Sequence, residues 1–376
     1  MKIVVISTNY PSASRPHLGT FVYRFVQELC RNNLDVTVIA PEAIHYLFKR
    51  RANANYGNEL AKVYRPSYLS FSNKISYQGL SAVRWGMKSM ALSVRLCAQR
   101  FGIKADLVYG HFFPTGLATL ELAKRWDVPS VLTIGESRIA DAATSMSSEF
   151  VTKQMNDFKG IVAVSKEIKS VLMEKYSIPE DRIRHIPNAP DSRMFFPRDR
   201  YAMRLKYGLP LDRFIVAYVG HFNDWKGAHR LIAALNQTAH VYGVFLGSGD
   251  QLDVNEKILL AKAVPNYQVP EYLSAANLFV LPTRNEGSCN AISEALACGL
   301  PVISSDVPAI REQLDESVSI LIDPLSEKSI ASAIRRLSND KELYDRMSVA
   351  ALKKAQSYTL KHRAKEMIRY FDDILR

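Results

Sequence analysis

Short apolar runs alternate with amphipathic stretches along the whole chain. The apolar runs that predict buried strands in the first half are residues 2–7, 35–41, 106–110, 130–134 and 160–165. Those in the second half are residues 214–220, 241–247, 277–282, 301–305 and 317–323. Most are followed by apolar residues at helical spacing, as in the helix that begins at Thr20. Repeated strand–helix–strand order predicts mostly parallel sheets covered by helices on both faces.

The strand–helix pattern pauses at residues 185–199, where three prolines and several turn-forming residues predict a linker. A chain of 376 residues is also too long for one compact core. We therefore expect an α/β protein with two doubly wound, Rossmann-like domains, 1–190 and 191–357, followed by an amphipathic helix within 358–376. Ligands of such sheets bind beyond the carboxyl ends of the strands, so the cleft between the two domains is the expected site.

The composition is that of a folded globular protein, with 47% hydrophobic and 23% charged residues. The four cysteines are scattered without paired spacing, which argues against a disulfide framework or a zinc site and fits a reducing cytoplasm. The apolar run at the N-terminus is too short for a signal peptide. No stretch reaches the roughly 18 apolar residues that a membrane helix needs. We expect a cytoplasmic protein that is soluble or lies on a membrane surface.

A formal net charge of +12 favours anionic partners. Zinc-finger and RNA-binding signatures are absent from the sequence, which argues against nucleic acid and leaves phosphorylated ligands and anionic lipid. Residues 81–101 predict a helix on which Arg84, Lys88 and Arg95 form a basic stripe flanked by Trp85. Such a helix can rest on anionic lipid, although a solvated basic face is the simpler interpretation. Three further cations, at residues 49–51, lie nearby in sequence.

The segment 277–305 carries the strongest chemical signal. A predicted strand ends at Pro282, and a helix is predicted from about residue 290 to 298. The polar turn and helix start between them hold Glu286, Gly287, Ser288, Cys289, Asn290 and, one turn inside the helix, Glu294. Free N–H groups at a helix start can hold an anion, and carboxylates accept hydrogen bonds from vicinal hydroxyls. By spacing alone, a capping turn with a surface glutamate explains the two side chains at least as well as a ligand site does.

The run Pro-Thr-Arg-Asn-Glu-Gly-Ser-Cys-Asn-Ala-Ile-Ser-Glu-Ala-Leu-Ala-Cys-Gly-Leu-Pro-Val-Ile resembles the E-x7-E region of the family-4 retaining glycosyltransferases of GT-B fold. The resemblance implies that Glu294 binds the donor ribose and that Glu286 contacts the donor sugar near the reacting carbon. It also implies that the backbone of residues 287–290 helps to hold sugar and phosphate. It extends over nearly the whole chain to about residue 357, and it implies that the last helix crosses back to the first domain.

Two glycine-containing loops are the other candidate phosphate sites. Lys226 and Gly227 open a helix after the strand 214–220, where a lysine can neutralise a diphosphate leaving group. His221 stands where the family has an arginine, and histidine is a weaker, pH-dependent cation. Gly19 lies in the loop 7–20, which resembles the loop that closes over the donor diphosphate in the family; Arg15 and His17 are possible helpers there. The structural alternative for Lys226 is a solvated lysine at a helix start. The alternative for the loop 7–20 is an ordinary connection between a strand and a helix.

The first domain departs from the family pattern. Where the family has a Thr-x-His-Gly segment, this chain has Thr-Ile-Gly-Glu at 133–136, so Glu136 is the candidate to replace the histidine, with His111 as the other. A lone histidine after a strand is more often structural. Asn188 and Asp191 match the family's Ile-Pro-Asn-Gly-x-Asp run, while residues 189 and 190 do not. Asn188 is expected either to shape the wall of the cleft or to form a structural turn.

Together these features predict a retaining hexosyltransferase with Glu286, Lys226 and Glu136 as catalytic candidates. The resemblance implies a nucleoside diphosphate sugar as donor, with UDP and GDP both open, and no required cofactor or metal; the lack of an Asp-x-Asp motif agrees with this. The opening of the chain, with Asn-Tyr-Pro-Ser at 9–12 and Gly-Thr-Phe-Val at 19–22, resembles bacterial enzymes of capsular, teichuronic-acid or exopolysaccharide assembly. That resemblance implies that the acceptor is a glycan or a lipid-linked glycan of the bacterial surface, reached from the inner face of the plasma membrane. The alternatives are a non-catalytic nucleotide-sugar-binding subunit, a GT-B epimerase and a dinucleotide oxidoreductase; the last has only a Gly-Ser-Gly fragment at 247–249 in its favour. The sequence leaves the oligomeric state open.

Overall fold

The computed structural model describes residues 1–12, 15–45, 59–70, 76–77, 80–136 and 148–376. The chain divides into two compact units, one formed by Met1–Pro187 with Lys361–Arg376 and the other by Asn188–Leu360. The basic residues 49–51, and positions 13 and 14 of the loop 7–20, lie outside the described residues.

The first unit is built on a parallel sheet whose described strands run in the order β11-β10-β9-β8-β1-β2-β4. These strands are β1 Lys2–Ile6, β2 Asp35–Ile39, β4 Lys62–Tyr64, β8 Leu107–His111, β9 Ser130–Ile134, β10 Gly160–Ala163 and β11 Ile183–His185. Two small pairs stand apart from the sheet: β3 Glu42–Ala43 with β5 Ser67–Tyr68, and β6 Ser76–Tyr77 with β7 Leu80–Ser81. The helices are α1 Thr20–Arg31, α2 Ala82–Arg100, α3 Gly116–Trp126, α4 Ser148–Asn156, α5 Lys166–Tyr176 and the C-terminal α13 Leu360–Leu375.

The second unit repeats this architecture with a parallel sheet in the order β14-β13-β12-β15-β16-β17. Its strands are β12 Phe214–Val219, β13 Val241–Leu246, β14 Ile258–Lys262, β15 Leu278–Leu281, β16 Val302–Ser305 and β17 Ser319–Ile322. Its helices are α6 Arg200–Tyr207, α7 Ala228–Asn236, α8 Val269–Ala275, α9 Asn290–Ala297, α10 Pro308–Gln313, α11 Glu327–Asn339 and α12 Lys341–Ser357. Short 3-10 turns occur at Phe113–Thr115, Glu180–Arg182 and Asn266–Gln268.

Burial explains why these segments form strands. The central strands β8, β9 and β15 are buried at every position, as expected for apolar runs covered on both faces of a parallel sheet. Polar side chains fix where several helices begin: the Ser165 hydroxyl accepts from the backbone N–H of Ile168 at 3.2 Å, and the Asp199 carboxylate accepts from Ala202 at 2.7 Å. Every strand that the sequence predicts is present, with ends that shift by at most two residues.

The predicted class, two doubly wound α/β domains, is therefore confirmed. Strands β4, β11 and β14 extend the two sheets beyond the prediction. Strands β4 and β11 have only three residues each and carry Lys62, Arg184 and His185, whereas β14 is an apolar run, Ile-Leu-Leu-Ala-Lys, that was not predicted. The C-terminal helix packs within the first unit, where the Tyr370 hydroxyl donates to the carbonyl of Arg182 at 2.9 Å and Arg363 Nε donates to that of Pro187 at 3.0 Å. Within the described part of the chain, every helix is too short or too polar to cross a membrane.

Candidate functional site

The order of the strands in the second unit brings two predicted loops together. Strand β12 pairs with β15, and the direction in which strands are added to the sheet reverses between them. The loops at the carboxyl ends of these neighbouring strands flank a topological switch point, where doubly wound sheets bind ligands. One loop carries Lys226 and the other carries Glu286.

Gly227 holds the first of these loops against the second. It precedes α7 with a φ of 78°, and a Cβ at this position would lie 2.3 Å from the carbonyl oxygen of Pro282. Only glycine allows both this left-handed backbone and such a close approach. The Asn223 side chain accepts from the backbone N–H of Lys226 at 2.8 Å. The direction in which the Lys226 side chain leaves the loop is therefore set by its neighbours.

Backbone contacts join the two loops further. The N–H of Arg284 donates to the carbonyl of Trp225 at 2.9 Å, and Trp225 Nε1 donates to the carbonyl of Asn285 at 3.2 Å. The Asn285 side chain accepts from the N–H of Glu286 at 2.8 Å. Glu286 is thus held by residues of both loops.

Lys226 and Glu286 form an ion pair through Nζ and Oε1. Glu286 is 9% exposed and the Lys226 side chain is 27% exposed, so the carboxylate is largely removed from water and the ammonium only in part. Burial disfavours the ammonium of Lys226, but the Glu286 carboxylate outweighs this effect and the pKa of Lys226 is raised. The lysine therefore stays charged at neutral pH, while the glutamate is engaged by a cation.

Glu294 lies in α9 and is 8% exposed, so the second predicted glutamate is also inside the unit rather than a solvated surface side chain. Cys289 occupies the N-cap of α9, and burial together with the Glu286 carboxylate raises its thiol pKa to about 12. The thiol is consequently neutral at physiological pH and unsuited to nucleophilic attack.

Two amide side chains hold the turn that follows Glu286. Asn188 uses its backbone N–H to reach the Ser288 hydroxyl and its Nδ2 to reach the Ser288 carbonyl, both at 3.1 Å. Gln313 accepts from the N–H of Cys289 at 2.8 Å and donates to its carbonyl at 3.3 Å. The sequence analysis missed Gln313, which gives no local signal because it lies 24 residues from the turn.

An acidic side chain at the edge of the Lys226 loop holds two arginines, and this role was not predicted from the sequence. Asp224 forms ion pairs with Arg230 at 2.5 Å and with Arg284 at 2.6 Å. Arg230 also donates to the carbonyl of Pro282 at 3.1 Å. The Trp-Lys-Gly sequence drew attention to the loop, but nothing in the sequence indicated that its neighbouring aspartate would bind two arginines.

His221, which stands in place of the family's arginine, is exposed at the carboxyl end of β12. Its carbonyl accepts from the Tyr218 hydroxyl at 2.9 Å. Its ring lies against Gly249, where an added Cβ would come within 2.7 Å of ring atoms. The structure thus brings His221 next to the Gly-Ser-Gly turn at 247–249.

In the first unit, Gly19 has the same role at α1 that Gly227 has at α7. Its φ is 66°, and a Cβ would lie 2.0 Å from the carbonyl oxygen of Asn9. The loop folds back on itself at this point. Arg15 forms an ion pair with buried Glu42 at 3.3 Å, and His17 is exposed. The Arg15 guanidinium is therefore already engaged by a buried carboxylate of the same unit.

Glu136 joins the end of β9 to the turn that follows β8. Its two carboxylate oxygens accept from the N–H groups of Phe113 at 2.8 Å and Gly135 at 3.0 Å. Burial raises the pKa of Glu136 to about 7 despite these bonds. The adjoining Phe112 has a φ of 74°, which is costly for an aromatic residue. Glu136 thus stabilises a strained turn.

His111, the alternative to Glu136, is the last residue of β8 and is 1% exposed. Its Nδ1 shares a hydrogen bond of 2.9 Å with the Tyr109 hydroxyl, which also bonds to Thr133 Oγ1 at 2.7 Å. Burial, followed by the charge of Arg363, lowers the pKa of His111 to about 3. The ring is neutral and packed inside the unit, as expected for a structural histidine.

The predicted residues therefore fall into two groups, one in each unit. Lys226, Glu286 and Glu294, with the turn at 287–290, belong to the second unit; Gly19, His111 and Glu136 belong to the first. Within the described residues, no cluster of three His, Cys, Asp or Glu side chains has the arrangement of a metal site.

Comparison with known families covers both units. Residues 18–193 match the model described as Glycosyltransferase Family 4, and residues 199–354 match the model described as Glycosyl transferases group 1. A Bacillus subtilis protein provisionally named teichuronic acid biosynthesis glycosyltransferase TuaC is 28% identical over 358 residues, which cover 90% of each chain. A D-inositol 3-phosphate glycosyltransferase of Nocardia farcinica is 26% identical over 301 residues, covering 72% of this chain and 67% of that protein.

Solved structures share the fold at lower identity. Sucrose-phosphate synthase from Thermosynechococcus elongatus matches 100% of this chain and 99% of its own, with a TM-score of 0.82 and 17% identity. The Anabaena protein HepE in complex with UDP-glucose matches 99% of this chain and 100% of its own, with a TM-score of 0.74 and 16% identity.

Proposed function

Since the chain belongs to the group 1 glycosyltransferases of GT-B fold, we propose that it is a retaining hexosyltransferase that uses a nucleoside diphosphate sugar. The observation that carries the proposal is the ion pair of Lys226 and Glu286 at the switch point of the second unit. It brings together a cation suited to a diphosphate and a carboxylate suited to sugar hydroxyls. Gly227 fixes the loop on which Lys226 stands against the Pro282 carbonyl beside the Glu286 turn.

The leaving diphosphate sets the main electrostatic task of the reaction. Negative charge develops on the phosphate oxygen as its bond to the anomeric carbon breaks, and preorganised cations lower the barrier. Lys226 supplies such a charge, because its pKa is raised. We assign His221, Gly19 and the backbone of residues 287–290, which comprise Gly287, Ser288, Cys289 and Asn290, to supporting contacts with the donor.

Retention is proposed to proceed without a covalent enzyme intermediate. The acceptor oxygen bonds to the anomeric carbon on the face that the phosphate leaves, and the acceptor proton passes to the departing phosphate oxygen. Glu286 is held by Lys226 and Cys289 is a neutral thiol, so neither is poised as a nucleophile. Glu286 instead contacts the donor sugar, and Glu294 binds the ribose hydroxyls. We propose a supporting role for Glu136, the third catalytic candidate, which lies in the first unit.

We propose UDP as the first nucleotide to test, because solved structures of similar fold are complexes with UDP and UDP-glucose, while GDP stays open. The acceptor is proposed to be a glycan or lipid-linked glycan of the bacterial surface, following the TuaC relative. The enzyme would then act in the cytoplasm, at the inner face of the plasma membrane, and need neither cofactor nor metal.

Helix α2 supports the membrane part of this proposal. Its exposed stripe contains Trp85, Lys88, Leu92 and Leu96, and the Lys88 ammonium lies 5.5 Å from the Trp85 ring. A groove of about 660 Å³ beside the helix is lined by Leu92, Leu96 and Phe101. An exposed tryptophan with leucines and cations suits the surface of an anionic bilayer.

The test is a thermal-shift screen of the full chain with UDP, GDP and their sugars, because a ligand that binds only the native state raises its stability by about 2.7 kcal/mol at 100 times its dissociation constant. Glu294→Ala should abolish the shift given by the nucleotide that stabilises the wild type, while the exposed control Glu316→Ala should preserve it. Release of free nucleoside diphosphate with a panel of acceptors then separates an enzyme from a binding subunit. Unchanged donor affinity in Glu294→Ala contradicts its ribose role, and a product of inverted anomeric configuration contradicts retention.

A further inference from the structure

We propose that Gln313 and Asn188 are positioning residues for the donor, acting through the turn that carries Glu286. The inference rests on the proposed function, because it assigns these two amides to the binding of the nucleoside diphosphate sugar. Neither side chain is expected to touch the donor. Each instead fixes a peptide group of the turn whose backbone is proposed to hold sugar and phosphate.

Gln313 contacts both backbone groups of one residue. Its Oε1 accepts from the N–H of Cys289 at 2.8 Å, and its Nε2 donates to the Cys289 carbonyl at 3.3 Å. Nε2 also lies 3.3 Å from the Ser293 hydroxyl, one turn into α9. Among uncharged side chains, only an amide offers a strong acceptor and a separate donor at this spacing. Gln313 therefore fixes the orientation of the backbone at Cys289, where α9 begins.

Asn188 holds the preceding residue from another part of the chain. Its backbone N–H donates to the Ser288 hydroxyl and its Nδ2 donates to the Ser288 carbonyl. The peptide group between Ser288 and Cys289 is thus held at its carbonyl by Asn188 and at its N–H by Gln313, whose side chains lie 100 and 24 positions away in sequence. On the other side of Glu286, Asn285 and the Lys226 loop hold the chain.

This double attachment determines where Glu286 stands. The glutamate lies two residues before Ser288 and is tied to Lys226, so a shift of the turn would move the carboxylate relative to the ammonium. Because α9 has no side-chain cap of its own at Cys289, the external amides supply the order that a Ser or Asp cap would give. Misplacing a binding group by about 1 Å can cost on the order of 100-fold in rate.

The experiment compares Gln313→Met and Asn188→Leu with wild type in the full chain. Gln313→Met keeps the length of the side chain and removes three hydrogen bonds; Asn188→Leu removes one. We expect the dissociation constant for UDP or GDP, whichever stabilises the wild type, to rise about tenfold or more in Gln313→Met and less in Asn188→Leu. Backbone hydrogen exchange at residues 286–290 should accelerate in the same order.

Two controls separate positioning from general destabilisation. Gln237→Met makes the same change at an exposed site, where the amide donates to Glu327 at 3.5 Å. Ile334→Val loosens the core of the second unit at a fully buried position. Both should leave nucleotide affinity unchanged, although Ile334→Val lowers the melting temperature. Equal affinity in wild type and both amide variants overturns the inference alone, while a wild type that binds no nucleotide overturns the proposed function and with it the inference.

Discussion

At the scale of single residues, the candidate site contains a charge pair that is partly protected from water. Breaking a buried pair from one side leaves an uncompensated charge, which costs more than removing both partners. Lys226 and Glu286 are such partners, with side chains 27% and 10% exposed. Single and double substitutions of these residues should therefore differ in stability even where they weaken ligand binding alike.

We expect Lys226→Met to lower the free energy of unfolding by about 1–3 kcal/mol, because Glu286 stays buried without its cation. The double variant Lys226→Met/Glu286→Gln should recover most of this loss. Nucleotide binding should stay weak in both, since neither restores a cation for the diphosphate. Urea unfolding and calorimetric titration with UDP and GDP measure the two effects, and a double variant no more stable than the single one would contradict the pairing argument.

At the scale of elements, both units use the same device to begin a helix beside a candidate phosphate site. A left-handed glycine precedes α1 in the first unit and α7 in the second, and each approaches a backbone carbonyl too closely for any Cβ. The sequence predicts phosphate sites at Gly19 and at Lys226-Gly227. The structure adds that these glycines are required for packing before any ligand arrives.

Gly19→Ala should be far more disruptive than Gly102→Ala. Both glycines have a positive φ, near 60°, but a Cβ at Gly102 has nothing within 4 Å, whereas at Gly19 it would lie 2.0 Å from a carbonyl oxygen. The left-handed backbone alone costs about 1–2 kcal/mol, which Gly102→Ala should show. Gly19→Ala should lose more than this in chemical denaturation. Similar losses for the two variants would mean that the α1 loop relaxes freely.

Glu136 should make the first unit less stable as pH rises. Its folded-state pKa of about 7 lies above the ordinary value of 4.5, so the folded protein binds the proton more tightly than the unfolded chain. The stabilisation is complete below about pH 4.5 and is lost as pH rises through 7. The free energy of unfolding of wild type, relative to Glu136→Gln, should therefore fall between pH 4.5 and 8. A difference independent of pH would show that the carboxylate is not held in this way.

At the scale of the whole molecule, the excess of positive charge supports binding to a membrane surface only where cations lie beside exposed apolar side chains. A net charge of +12 spread evenly would mainly aid solubility. On α2, Met87, Met90, Val94 and Cys97 are buried, which leaves a tryptophan and leucines outside with the cations. Arg84 is less available than the sequence suggested, because it lies 4.4 Å from the Phe150 ring.

We expect the wild type to co-sediment with vesicles that contain anionic phosphatidylglycerol at low salt, and less so at high salt. The charge reversal Lys88→Glu should weaken binding at low salt, and Trp85→Ser should weaken the part that persists at high salt. The matched reversal Lys341→Glu, at an exposed site of the second unit, should have little effect. No binding of wild type to anionic vesicles at low salt would contradict the membrane proposal.

The sequence by itself determined the fold class, because buried strands of parallel sheets are continuous apolar runs that a linear pattern reveals. It also indicated the candidate residues of the Glu286 segment, since they are adjacent in the chain and keep a recognisable spacing, and their roles stay a prediction. Only the tertiary structure decided what holds them. Asn188 and Gln313 hold the two ends of one peptide group, Asp224 pairs with two arginines, and Lys226 pairs with Glu286 from the loop after the neighbouring strand. These contacts link residues far apart in sequence, and hydrogen bonds between distant groups leave no periodicity that a sequence can show.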